Sequence, residues 1–344
     1  MCNIAGYIGD RTAAPILIDM IRAQEGLNGG FYTGIATLHE GKIHYRKVVG
    51  DLEELLKRTD AADLPGNIGI IHSRTPGDQG DEWAHPFVCE RGGEVFTAHV
   101  YNGSVGYFEH IEEKRARVAK QLIEEGFLMR SQVAISNGKR VTLADGSRVH
   151  ISDIMCQLVS KNILAGDSAD LAMEKGFCEI PAEIVGLMLA VSAPDAIVFA
   201  RINMPMFIGA SDHGNYLATA PQAFPNDAGE PFLLPPLCKG YIKKDGVSFS
   251  AFGKAPAKVA PLSARVMSEA YTLICSALRE KCCTVSELAK AVKPLFDEAD
   301  CVQATCAVYY TLYDLKQKGI LKTEISSRPG VFEGLKAPVF YISI

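Results

Sequence analysis

Apolar residues recur along the first three quarters of the chain with two different periods. Ala13 to Arg22 places Ile16, Leu17, Met20 and Ile21 on one helical stripe, and Phe108 to Glu125 reads as a charged amphipathic helix closed by Gly126. Between and after them lie short β-rich runs: Thr33 to Leu38, Lys42 to Val48, Ile68 to His72, Val95 to Tyr101, Ile184 to Ser192, Ala196 to Ile202, Met206 to Ala210 and Asn215 to Thr219. Several alternate or are apolar throughout, which predicts sheets covered by helices, an α+β layered domain over residues 1–255. Ala134 to His150 reads as an inserted hairpin with turns at Asn137-Gly138 and Asp145-Gly146.

The pattern stops at Ala251 to Pro261, a Pro, Ala and Lys-rich stretch without hydrophobic period, so a domain boundary is expected near residue 258. Beyond it, Ser263 to Leu278, Ser286 to Phe296 and Val302 to Lys318 read as helices, with Ser286 as an N-cap and Gly319 ending the third. Ile320 to Glu324 and Val339 to Ile342 read as strands around the turn Arg328-Pro329-Gly330. Three helices and a terminal hairpin over residues 260–344 resemble a winged-helix domain.

Composition narrows the function. With 344 residues, 48% hydrophobic and 22% charged, the chain can bury a core and has too little charge for disorder. No apolar run reaches the roughly 18 residues of a membrane span, and no secretory signal is readable, so a cytoplasmic location is expected. A net charge of -5 argues against a protein that coats nucleic acid. The ten cysteines are scattered without CxxC or accompanying histidines at zinc spacing, so they read as reduced packing thiols; neither a metal nor a cofactor is expected. Phosphate-loop, dinucleotide, nucleophile-elbow and HExxH motifs are missing.

The sharpest chemical feature is Cys2. Removal of Met1 would leave this cysteine at the N-terminus, where its own α-amine, with a reference pKa of about 7.7 to 8.0, can accept the thiol proton. One residue then supplies nucleophile and base. Attack on a carboxamide builds negative charge on its oxygen, and the Asn102 side-chain amide and Gly103 N–H are suited to hold it, although Asn-Gly after a strand is also a common hairpin turn. Arg74 can grip a carboxylate with its fork, and Asp153 can accept an ammonium; the plainer readings are a surface ion pair and a helix N-terminal carboxylate. His72, following the apolar Ile68 to Ile71, reads as a core or edge histidine rather than half of a Cys/His dyad with His85.

Four segments, in order, carry a resemblance. The opening CNIAGYIGD is similar to the CGIxGxxG start of class II glutamine amidotransferases of the N-terminal nucleophile hydrolase type. Ile70 to Arg74 with Trp83 to Phe87 resembles that family's GHTRWATHG and NAHPH, Ala98 to Val105 its VHNGII, and Ile151-Ser152-Asp153 its ETDTE. The resemblance implies a four-layer αββα sandwich with Cys2 as nucleophile, Asn102 and Gly103 as oxyanion hole, and Arg74 and Asp153 as ligands of glutamine. The chain departs from the family at Asn3 for glycine, at Thr75 for tryptophan, and at Pro76 to Gly80 for the ATHG portion. Leu27 to Ala36 keeps the GIA ending of YRGYDSAGIA without its arginine and aspartate.

The expected function is therefore that of a stand-alone glutaminase-type subunit that releases ammonia to a separate synthase or transferase, since only about 85 residues follow the linker. A different class of function is an amino-acid sensor whose winged helix binds a protein or DNA. Ten basic against nine acidic residues over 260–344 offer little attraction for phosphate, leaving Arg328, Lys316, Lys318 and Lys322 as a local patch. An N-terminal cysteine hydrolase acting on another amide is the third reading.

Overall fold

The computed structural model describes residues 2–134, 141–296 and 299–344. β1 (Asn3–Gly9) leads into α1 (Ala13–Arg22) and the single turn α2 (Glu25–Asn28). β2 (Tyr32–His39) and β3 (Lys42–Val49) form a hairpin, followed by α3 (Leu52–Arg58), where the Asp51 carboxylate accepts from the Glu54 N–H as an N-cap. β4 (Ile68–Arg74) completes this part of the first sheet, and β5 (Phe87–Arg91) and β6 (Glu94–Ser104) open the second. Next come α4 (Glu112–Glu124), the ribbon β7 (Val141–Thr142) and β8 (Arg148–Val149), α5 (Ile151–Leu164) and α6 (Ala169–Glu179). The strands β9 (Glu183–Ala190), β10 (Ile197–Arg201), β11 (Phe207–Ser211) and β12 (Gly214–Ala218) precede β13 (Phe232–Leu233), β14 (Cys238–Lys243) and β15 (Gly246–Ala251).

The strands assemble as two antiparallel sheets, β13-β11-β12-β1-β4-β2-β3 and β15-β14-β10-β9-β6-β5. Side-chain alternation explains their layering. Ile4 and Ile8 of β1 enter the core between the sheets with Val100, Leu187 and Phe199, whereas Ala5 and Tyr7 face Leu17 and Ile21 of α1. On the outer face of the second sheet, Tyr101 and Met188 pack with Ile154, Met155 and Phe177 from α5 and α6. The result is the helix, sheet, sheet, helix order expected from the sequence. The anticipated hairpin is present as β7 and β8, paired antiparallel with Gly146 at φ 82; the proposed turn at Asn137-Gly138 lies outside the described residues.

After an irregular stretch from 252 to 263 come α7 (Ala264–Glu280), α8 (Val285–Val292), α9 (Ala304–Gln317) and the hairpin β16 (Lys322–Pro329) and β17 (Lys336–Ser343). α8 is capped by Thr284 in a reciprocal box with Glu287, two residues ahead of the expected Ser286, whose hydroxyl instead donates to Asn28 Oδ1 at 3.1 Å. Gly319, at φ 69, follows the last turn of α9 as expected.

This unit does not stand apart. Its core, with Val266, Ile274, Leu288 and Leu312, includes Phe207 and Ala220 of the preceding unit. The fully buried Arg201 guanidinium donates to the carbonyls of Met204, Leu234 and Asn203 and to Gln303 Oε1. α9 is buried along most of its length, so it offers no continuous exposed face to a nucleic-acid groove. Arg328, expected in a DNA patch, stacks on Phe31 with its guanidinium carbon 4.7 Å from the ring centre. No described helix is long and apolar enough to cross a membrane.

Candidate active site

Cys2 precedes β1 on the same face as Ile4, and β1 pairs with β4 so that Asn3 lies opposite Ser73 and Ile4 opposite His72. His72 and Arg74 of β4 share the inter-sheet face with Ile70. Asn102 follows Val100 by two residues and meets them from the second sheet. Four polar side chains from three strands thus converge where the hydrophobic core between the sheets gives out.

The Cys2 backbone N–H donates to Asn102 Oδ1 at 2.8 Å. That bond orients the amide and leaves Asn102 Nδ2 buried without a hydrogen-bond partner. A buried, unsatisfied donor costs roughly 1 to 3 kcal/mol, which an anionic oxygen would return. Asn102-Gly103 is not a turn, because β6 runs on through Ser104 opposite Glu183. The Tyr101 carbonyl accepts from His72 Nε2 at 2.9 Å, away from β9, and backbone alternation puts the Gly103 N–H on that same side. A Cβ on Gly103 would come 2.1 Å from the Glu183 carbonyl oxygen, so no other residue fits there without moving the strands.

Cys2 Sγ lies 3.8 Å from Thr75 Oγ1, at the site of one family departure. Burial pushes this thiol up, but the neighbouring His72, the chain's N-terminal amine and Arg74 outweigh it and bring the group down to about 6. The thiolate is therefore accessible near neutrality. The sequence reading set His72 aside as a core histidine; it is buried, yet it is the main group favouring the Cys2 thiolate. The parity shared by Cys2, His72 and Arg74 was the available signal. His85 stacks on His72 with ring centres 3.9 Å apart, and both its ring nitrogens are buried without partners. Burial holds His85 well below the usual histidine range, so it is neutral.

Arg74 is no surface ion pair. It is 5% exposed, with its guanidinium carbon 4.8 Å from the Tyr32 ring centre and 5.9 Å from that of Trp83. Burial lowers its pKa, but an arginine so shifted remains a cation, and its Nη1 is buried with no partner. Trp83 is held in turn by Nε1–H donating to the Ser131 carbonyl at 2.9 Å. Cys2, Arg74, Gly103, His85 and Thr75 line one cavity of about 300 Å³, with Arg115, Val141, Ile151, Ser152 and Ile184 on its other walls.

Asp153 is not brought to this cavity. It lies in the first turn of α5, fully buried, and its Oδ2 accepts from the Ser131 N–H and hydroxyl, both at 2.8 Å. Oδ1 accepts from Gln157 Nε2 at 3.1 Å, and the half-buried Lys47 ammonium acts on it electrostatically. The residues of that turn that line the cavity are Ile151 and Ser152. The hydrogen bonds of Asp153 tie the 130s segment to α5, and like Asn102 it is not among the residues lining the cavity. Among the described residues no three His, Cys, Asp or Glu side chains are grouped to hold a metal.

No protein-family model matches the chain. It is 28% identical over 227 residues to the glutamine–fructose-6-phosphate aminotransferase (isomerizing) of Pyrococcus horikoshii, covering 65% of this chain and 33% of that protein. To the protein of the same name from Caldanaerobacter subterraneus subsp. tengcongensis it is 30% identical over 257 residues, 74% of this chain and 37% of that one. The chain spans about a third of the length of these curated relatives. Among solved structures, the glutamine phosphoribosylpyrophosphate amidotransferase of B. subtilis superposes with a TM-score of 0.58 at 15% identity, over 75% of this chain and 50% of that one. That structural likeness speaks for the fold, the sequence likeness for descent, and together they support a class II glutamine amidotransferase domain of the N-terminal nucleophile type in this chain.

Proposed function

We propose that the chain hydrolyses a primary carboxamide of the glutamine side-chain type at Cys2 and releases ammonia to an acceptor synthase or transferase. After removal of Met1 the α-amine of Cys2 takes the thiol proton, and the sulfur forms a C–S bond to the amide carbon. The C–N bond breaks as the amine returns the proton to the leaving nitrogen, so ammonia departs and a thioester remains. Water then adds to the thioester carbon, the C–S bond breaks, and its proton restores the thiol and amine. Charge on the tetrahedral oxygen falls to Asn102 Nδ2 and the Gly103 N–H, and the buried Arg74 fork receives the substrate's carboxylate.

One observation carries this reading: the nitrogen of Cys2 is bound 2.8 Å from Asn102 Oδ1, which places a buried, unpaired amide donor beside the nucleophile. The reading requires Cys2 at the mature N-terminus, which intact-mass measurement on protein from its native host reports directly. Cys2→Ala is expected to lower ammonia release by at least about 10³-fold with the thermal transition retained. Undiminished hydrolysis by that variant overturns the proposal.

A further inference from the structure

Arg74 is a buried cation whose Nη1 has no hydrogen-bond partner, so the direction of its fork depends on what packs against it. Two rings do so, those of Tyr32 and Trp83. They are backed from the far end of the chain. Ala337 of β17, fully buried, belongs to one apolar cluster with Phe31, Tyr32 and Trp83, and Val331 and Leu335 from the turn between β16 and β17 pack onto it. The backbone leading into Tyr32 is gripped as well. A Cβ on Gly26 would come 2.2 Å from the Phe340 ring and one on Gly30 2.5 Å from Pro338, so β17 lies directly on this segment. Asn28 Nδ2 donates to the Tyr309 hydroxyl of α9 at 3.1 Å, and the Ser286 hydroxyl of α8 donates to Asn28 Oδ1. On its other side the same segment is bonded to the site strands. The Gly30 N–H donates to Ser73 Oγ at 2.8 Å, the Phe31 N–H to the Arg74 carbonyl at 3.1 Å, and Asn3 Nδ2 to the Gln24 and Glu25 carbonyls.

Residues 24–32 are thus clamped between the C-terminal unit and the start of β1 and end of β4, where Cys2 and Arg74 stand. From this juxtaposition we propose that the C-terminal hairpin is a positioning part of the active site, holding Tyr32 and Trp83 so that the Arg74 fork is already aimed when the substrate's carboxylate arrives. A long cation fixed beforehand gives up less freedom on binding, and that gain appears in substrate affinity rather than in the bond-breaking step. Leu335 and Val331 are then positioning residues that act through Arg74. The inference rests on the amide-hydrolase reading and adds to it a role for the part of the chain beyond the linker.

The test follows ammonia release from glutamine by the full chain verified to begin at Cys2. Leu335→Ala is expected to raise KM about tenfold with kcat within about twofold of the unsubstituted chain, and to raise KM by less than about twofold in an Arg74→Lys background. Equal factors in the two backgrounds, or a fall in kcat with KM unchanged, overturn the inference. Ile325→Ala, on the exposed side of the same hairpin, should leave both constants where they were; a matching rise in KM there would make the effect one of general loosening and overturn it too. Trp83 is the only tryptophan in the chain and gives a readout independent of turnover. Its emission should shift to the red in Leu335→Ala and stay in place in Ile325→Ala, with the thermal transition kept in both. An unmoved emission beside a raised KM would route the effect around these rings and sink the inference. Should Leu335→Ala lose its transition, Val331→Ala carries the same expectations, and its failure to raise KM is equally decisive. No ammonia from the unsubstituted chain overturns the hydrolase reading and the inference together, whereas an unmoved KM in Leu335→Ala overturns the inference alone.

Discussion

Cys2, His72, Arg74 and Asn102 stand at neighbouring strands of two sheets packed face to face, and Cys2 and Arg74 line a cavity whose other walls include the first turn of α5 and the segment leading into it. The two ends differ in how tightly the backbone dictates side-chain position. On a paired strand, moving a residue by one place sends it to the other face, so the inward set survives or fails as a whole. At a helix start fed by a loop, a small rotation exchanges one residue for its neighbour. Here the neighbour in the cavity is Ile151, and Asp153 has turned into the interior. The strand end is therefore held more rigidly than the helix end.

Substitutions can break or sharpen that contrast. The largest effect beyond the nucleophile is expected at Asn102→Ala, which removes the oxyanion donor: kcat should fall about 10²- to 10³-fold with KM little changed. A matching rise in KM would instead make Asn102 a ground-state contact. Arg74→Lys keeps the charge between Tyr32 and Trp83 but loses the fork, so KM for any carboxylate-bearing amide should rise roughly 10- to 100-fold. An unchanged KM would place the carboxylate elsewhere.

The pH profile probes the strand end more gently. Because the Cys2 thiol is lowered to about 6, the reactive thiolate is lost as pH falls through that value and gained as it rises. kcat/KM should accordingly climb through pH 6 on the acid side, and His72→Asn should move this limb toward higher pH. A limb unmoved by that substitution removes His72 from the ionisation. On the helix end, Asp153→Asn should cost stability, roughly 1 to 3 kcal/mol from the weakened bonds to Ser131, measured as a lower midpoint of denaturant unfolding.

Much of the architecture was legible. Strands such as Lys42–Val49 and Phe207–Ser211 and the helix Ala13–Arg22 follow from period alone, and the layer order follows from alternation along β1 and β6. Less legible was the relation between the two parts of the chain. Periodicity marks the linker, but it carries no sign that Phe340 would pack over Gly26 or that Arg201 would reach Gln303. These contacts join residues far apart in sequence, and only packing reveals them. Arg328 is exposed, as a solvent cation should be, and only packing brings its guanidinium carbon to 4.7 Å from the Phe31 ring centre.

By itself the sequence pointed to Cys2 as the candidate nucleophile, to the Asn102-Gly103 pair and to the cationic Arg74, because each chemistry demands one residue type and strand alternation carries that residue inward. Tertiary structure decided which groups act on them. It placed His72 beside the thiol, set Arg74 against the rings of Tyr32 and Trp83, and gave Asp153 its partners Ser131 and Gln157. The physical reason is that a side chain's identity states which hydrogen bonds and charges it can offer, while the direction of its strand or helix turn, and the partners already waiting there, determine where they are spent.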